Sequence, residues 1–154
     1  MALRINTLNA CYQNLRMKSI HTTNYSNTFI EVADDCPVNT SEVPMEKNGK
    51  KTIASAQYEM ISKNPYQFTS DDVLFAVFAE RNNIAKKDQK IVREKFFSKG
   101  QACLRSSLLT KRYGFGVHSN ADGKVALYPI ESAEYKKFVS EKNIKHLKAM
   151  RSNR

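Results

Sequence analysis

At 154 residues, 41% hydrophobic and 26% charged, the chain is one domain with enough apolar side chains to build a core without staples. No apolar run approaches the ~20 residues that span a bilayer, which excludes a transmembrane helix. The net charge of +10 points to attraction toward a polyanion. The dispersed Cys11, Cys36 and Cys103, with no C-x-x-C pair, argue against a disulfide framework and a structural zinc site.

Residues 1–16 carry Arg4 and Arg16 and no acid, with Leu3, Leu8 and Leu15 near one helical face. This is the pattern of a short mitochondrial presequence, or of an extension upstream of a start at Met17. The folded domain is therefore expected over 17–141, with 142–154 as a basic tail: a last helical turn or two around Ile144, Leu147 and Met150, then disorder.

Thr28–Ala33 is rich in β-formers and closes at Asp34-Asp35-Cys36-Pro37, which predicts a strand and a turn. A polar loop follows to residue 51. Thr52 caps a helix to about Lys63, ended by Asn64-Pro65 because the residue before proline leaves the α region. Thr69-x-x-Asp72 approximates a capping box, with Asp71 and Asp72 at the positive end of the next helix's dipole. Val73, Leu74, Phe75, Val77 and Phe78 make that helix central to the core, and it stops near Arg81-Asn82-Asn83.

A third helix is predicted over 86–98, with Gly100 beyond its end. Lys86, Lys87, Lys90, Arg93 and Lys99 give it a basic face. The segment 81–112 holds ten bases against two acids, whereas 31–80 holds four bases against nine acids. After a loop from Cys103 to Arg112, Tyr113–His118 and Lys124–Ile130 flank Asp122-Gly123, a hairpin signal. Ser132 caps a helix through about Val139. The order β-ααα-ββ-α, without βα alternation, predicts an α+β fold. A small antiparallel sheet, one N-terminal strand plus the hairpin, packs against three to four helices.

The densest chemistry lies in Cys103–His118. Arg105, Lys111 and Arg112 supply cations and Ser106, Ser107 and Thr110 supply neutral donors. Gly114 and Gly116 let backbone amides approach, with Tyr113 between them and the cations. These residues, with Arg105, Lys111, Arg112 and Tyr113 foremost, are the expected site for a phosphate-bearing anion or a nucleic-acid backbone. Alternatively the glycines relieve crowding, and Tyr113 and Phe115 belong to the core. The segment has no Walker or Rossmann fingerprint. Cys103 and His118 offer a second reading as nucleophile and base of a small enzyme. A structural or partner-binding protein using Phe96-Phe97 is the third. The two helices around Asn82–Ala85 superficially match a helix-turn-helix, with Lys86, Lys87 and Gln89 at its reading end. No metal site, cofactor or membrane partner is expected, and the compartment is the cytoplasm, or mitochondria if 1–16 is a genuine leader.

From His21 onward the sequence resembles a conserved uncharacterised family of small proteins, a domain of unknown function known from bacteria and fungi. The resemblance covers 17–154. It is carried by His21-Thr-Thr-Asn-Tyr25, Thr28–Ala33, Asp35-Cys-Pro37, Lys51–Ala54 and Ser62-Lys-Asn-Pro-Tyr66. It continues through Thr69–Phe75, Lys95–Gln101, Cys103–Ser106 and Leu109–Gly116. Members tend to begin at the equivalent of Met17 and often have proline at the positions of Ala102 and Leu108. The resemblance implies no activity and no catalytic residue.

Overall fold

The computed structural model describes residues 20–153. The leader of residues 1–16 lies outside the described residues. The chain order is β1 (Thr28–Glu31), α1 (Ile53–Lys63), α2 (Ser70–Arg81), α3 (Gln89–Phe96), α4 (Leu108–Lys111), β2 (Phe115–Ser119), β3 (Val125–Pro129), α5 (Ala133–Ser140) and β4 (Lys145–Lys148). Two 3₁₀ turns, Lys86–Asp88 and Leu104–Ser106, precede α3 and α4. The fold is α+β around one sheet.

Where starts and stops are set locally, expectation and structure agree. Thr52 and Thr69 both close capping boxes, with the Ser55 and Asp72 side chains accepting from the cap amides. Ser132 caps α5 through the Tyr135 amide. The β2–β3 hairpin forms as its Asp-Gly signal predicts, and Gly123 sits at φ +76°, where a Cβ would be strained.

Four expectations are corrected. The sheet is mixed rather than antiparallel: its order is β3-β2-β1-β4, and β4 runs parallel to β1, with Thr28 opposite Lys145 and Ile30 opposite Leu147. The segment from 142 is therefore no frayed helical tail. Its residues 145–148 complete the sheet, and the chain beyond is tied down by Ser152 and Asn153 amides donating to Asp35 at 2.9 and 2.8 Å. Lys148 and Arg151 both pair with Asp34. The predicted loop 103–112 contains the second 3₁₀ turn and α4, because Ser107 caps α4 through the Leu109 amide. The helix expected over 86–98 splits into a 3₁₀ turn and a shorter α3.

Each strand shows two faces. Ile30, Val117 and Val125 point into the main core with Ile61, Val73, Leu104 and Ala149. Phe115 joins Leu109 and Ala54 in a smaller cluster on the same face. Phe75, Ala79 and Phe97 form a third cluster between α2 and α3. The opposite face carries Phe29, which meets Tyr135 and Phe138 of α5 at ring separations of 5.1 Å each. β4 is an edge strand, and its exposed Lys145, His146 and Lys148 suit an edge that must not recruit another strand.

Candidate functional site

The Cys103–His118 segment does not converge on one place. Leu104 packs with Val117 on the helical side of the sheet. Cys103, just before it, places Sγ 3.6 Å from the Tyr25 hydroxyl, and Tyr25 packs against that same cluster. His118 follows Val117 along β2 and so points the other way, stacking on Phe138 of α5 at 4.3 Å. The sheet lies between thiol and imidazole, and the two are not assembled as nucleophile and base.

The neutral donors expected to face an anion are used by the fold. Ser107 Oγ donates to Gln57 Oε1 at 2.6 Å, and Thr110 Oγ1 donates to the Leu104 carbonyl at 2.7 Å, both buried. Ser106 Oγ donates to Met150 Sδ. The glycines answer to packing. A Cβ on Gly116 would lie 2.6 Å from Phe29 Cζ and 2.7 Å from Tyr135 Cε2. One on Gly114, at φ +80°, would lie 3.0 Å from Val38 and 3.2 Å from the Ser41 backbone. Both glycines are thus required where neighbouring side chains and backbone leave no space for a Cβ.

The cations separate as well. Tyr113 packs beside Leu109 and Phe115, its carbonyl accepting from the Glu42 amide. Arg112 is exposed and Lys111 half-buried at the end of α4. Arg105 instead reaches the β4 edge, where its Nε donates to the Lys148 carbonyl at 2.8 Å. Its backbone carbonyl accepts from the Met150 amide. Arg105 also stands close enough to the Tyr25 hydroxyl to oppose the rise of that phenol's pKa. The rise comes first from the hydrogen bond to Cys103 and then from burial, so Tyr25 stays protonated at neutral pH. Lys145 Nζ lies 6.0 Å from the centre of the Tyr25 ring. Arg105, Tyr25 and Lys145 thus form a patch that sequence spacing did not disclose, since Tyr25 and Lys145 come from opposite ends of the fold.

None of Arg105, Lys111, Arg112 and Lys145 has a carboxylate within ion-pair distance among the described residues. Arg93, counted on the basic face of α3, turns inward. Its Nη2 donates to Asp72 at 2.8 Å, and its guanidinium lies 5.7 and 5.5 Å from the Phe75 and Phe97 ring centres. Phe97 is buried beneath it, so the Phe96-Phe97 pair is largely spent on this cluster. Lys86 and Lys87 lie in the 3₁₀ turn before α3 rather than on the helix that would read DNA.

A second polar cluster lies on the α5 face. Tyr66 Oη sits 2.8 Å from His118 Nδ1 and 2.7 Å from Tyr128 Oη. Tyr66 adopts φ +58°, unusual for a bulky residue, while its amide donates to the Val125 carbonyl. Burial, then the bond to Tyr128, pushes the Tyr66 phenol far up, and burial holds His118 below its ordinary value. Near Tyr128 a cavity of about 400 Å³ opens between β3 and α5, lined by Tyr128, Glu134, Lys137, Phe138 and Glu141. A smaller one, about 230 Å³, lies between α1 and α2, where Lys51 and Lys63 both pair with Glu59 and hold its carboxyl down at about 2.

Among the described residues no three His, Cys, Asp or Glu side chains are grouped to hold a metal ion, and no helix is long and apolar enough to cross a membrane. Neither a curated protein nor a solved structure matches the chain. A family model matches residues 20–154, which takes in every described element from β1 to β4, the Tyr25–Arg105–Lys145 patch and the α5 cavity. The chain belongs to that family, a family of unknown function, DUF6157.

Proposed function

We propose that the protein is a non-catalytic binding module for a phosphate-bearing anion, with Arg105 at the centre of its site and a nucleic-acid backbone as one form of that ligand. The observation that carries this reading is the setting of Arg105. It is half-buried and oriented by a main-chain carbonyl, and among the described residues no carboxylate neutralises its guanidinium. Tyr25 adds a phenol that stays protonated, and Lys145 adds a second cation beside it. Lys111, Arg112 and Tyr113 belong to the reading as an outer stretch that a long polyphosphate or nucleic-acid strand reaches and a single phosphate does not.

Titration with pyrophosphate and with a short single-stranded oligonucleotide, at low and moderate salt, tests it. Arg105→Gln and Lys145→Gln are each expected to weaken binding about tenfold. Lys111→Gln with Arg112→Gln is expected to weaken the oligonucleotide alone. Unchanged affinity in Arg105→Gln and Lys145→Gln, with both variants folded, refutes the reading.

A further inference from the structure

The cavity between β3 and α5 is built from chemistry opposite to that of the Arg105 patch. In a chain of net charge +10, its rim carries Glu134 and Glu141 against Lys137 alone. Glu134 and Lys137 lie one turn apart on α5, and Glu141 follows at its C-cap, its carboxylate accepting from the Asn143 amide. Among the described residues neither glutamate is paired with a lysine or arginine. The Glu59 carboxylate of the α1–α2 groove, by contrast, is already held by two lysines.

The floor is aromatic. Tyr128 and Phe138 line it with ring centres 4.8 Å apart, and both are fixed from behind. Phe138 stacks on His118 and Phe29, and the Tyr128 hydroxyl is bonded to Tyr66, which is bonded in turn to His118. Holding Tyr66 in the left-handed region is a strain that the surrounding bonds must offset. Its effect is to lock the orientation of the Tyr128 ring that faces the cavity. Rigid aromatic faces beside unpaired carboxylates recognise a cation that carries hydrocarbon. The rings attract the charge through their quadrupoles, the carboxylates through Coulomb attraction, and the apolar floor takes the hydrocarbon.

We infer that this cavity is a binding site for a small amphipathic amine, an aryl- or alkyl-ammonium, seated on Tyr128 and Phe138 with its ammonium between Glu134 and Glu141. The site is separate from the Arg105 patch and opposite to it in charge preference, so either can fail without the other. Phenethylamine is the probe, followed by amide and aromatic NMR shifts of the full chain. Its neutral isostere 2-phenylethanol and the anion 3-phenylpropionate serve as comparisons. Saturable shifts centred on Tyr128 and Phe138, with a dissociation constant on the order of 1 mM, are expected for the amine. The alcohol should bind at least about fivefold more weakly and the anion more weakly still. Glu134→Gln and Glu141→Gln, exposed and half-buried changes that leave the core alone, should each weaken the amine about two- to fivefold, and Lys137→Gln should strengthen it. Equal binding of amine and alcohol, shifts centred elsewhere, or indifference to Glu134→Gln combined with Glu141→Gln overturns the inference.

Discussion

The Thr23 hydroxyl and the Thr23 amide both donate to Asp71 Oδ1 at 2.7 Å, and the Thr22 hydroxyl donates to Oδ2 at 2.7 Å. The Asp71 amide in turn donates to Asn24 Oδ1. A buried carboxylate thus fastens the segment before β1 to the first turn of α2, where the helix dipole also favours negative charge.

Asp71→Ala removes the acceptor shared by three donors and leaves the buried Thr23 amide without its partner, and destabilisation of about 2–4 kcal/mol is expected by chemical denaturation. Asp71→Asn keeps an acceptor and should lose less. If the two variants are equally stable, the latch is not what the hydrogen bonds imply.

Gly116 is predicted to tolerate no side chain. Phe29 and Tyr135 occupy the space of its Cβ from two elements, so relief requires moving β1 or α5. Gly116→Ala should cost at least about 2 kcal/mol or abolish folding, read from the thermal midpoint.

His118 makes stability depend on pH. Burial holds its folded pKa below 6.5, so on acidification the unfolded chain binds a proton that the folded imidazole resists. Stability from this source is complete above about pH 6.5, declines below it, and levels off once the pH passes under the folded value. The groups against the ring are the Tyr66 hydroxyl and Phe138, neither of which stabilises imidazolium with a charge. Thermal midpoints measured from pH 7.5 to 5 should fall for the native chain and fall less for His118→Gln. The same slope in both would assign the effect to another histidine.

Deleting residues 144–153 is expected to unfold the protein rather than trim it. The deletion removes β4, takes Leu147 and Ala149 from the main core, and frees Asp34 and Asp35 from the groups that hold their carboxyls below the usual range. Circular dichroism and amide dispersion would report the loss. A truncated chain with native dispersion contradicts it.

The parts of this fold that sequence discloses are those decided within a few residues. Thr52 and Thr69 need only the residue three positions on to make a capping box, and Asp122-Gly123 needs only its flanking strands. β4 was illegible because Lys-His-Leu-Lys has a single apolar residue facing the core, and its partner β1 lies almost a whole chain away. The site was half legible for a similar reason. Arg105 of the proposed patch stands out from local charge, but its companions Tyr25 and Lys145 are supplied by tertiary structure. Ser107, Thr110 and the glycines looked chemical in a row of polar residues. Only their buried neighbours show that they serve packing.

The position of β1 between β2 and β4 bears on how the molecule is made. This strand leaves the ribosome before every other described element, yet both of its neighbours in the sheet are synthesised much later, and β4 last of all. Phe29 and Ile30, fully buried at the end, therefore spend most of translation without a partner. The helices can form early from local contacts, while the sheet closes only after β4 has emerged. Nascent chains halted before residue 145 should accordingly expose an apolar strand, the kind of surface that chaperones hold.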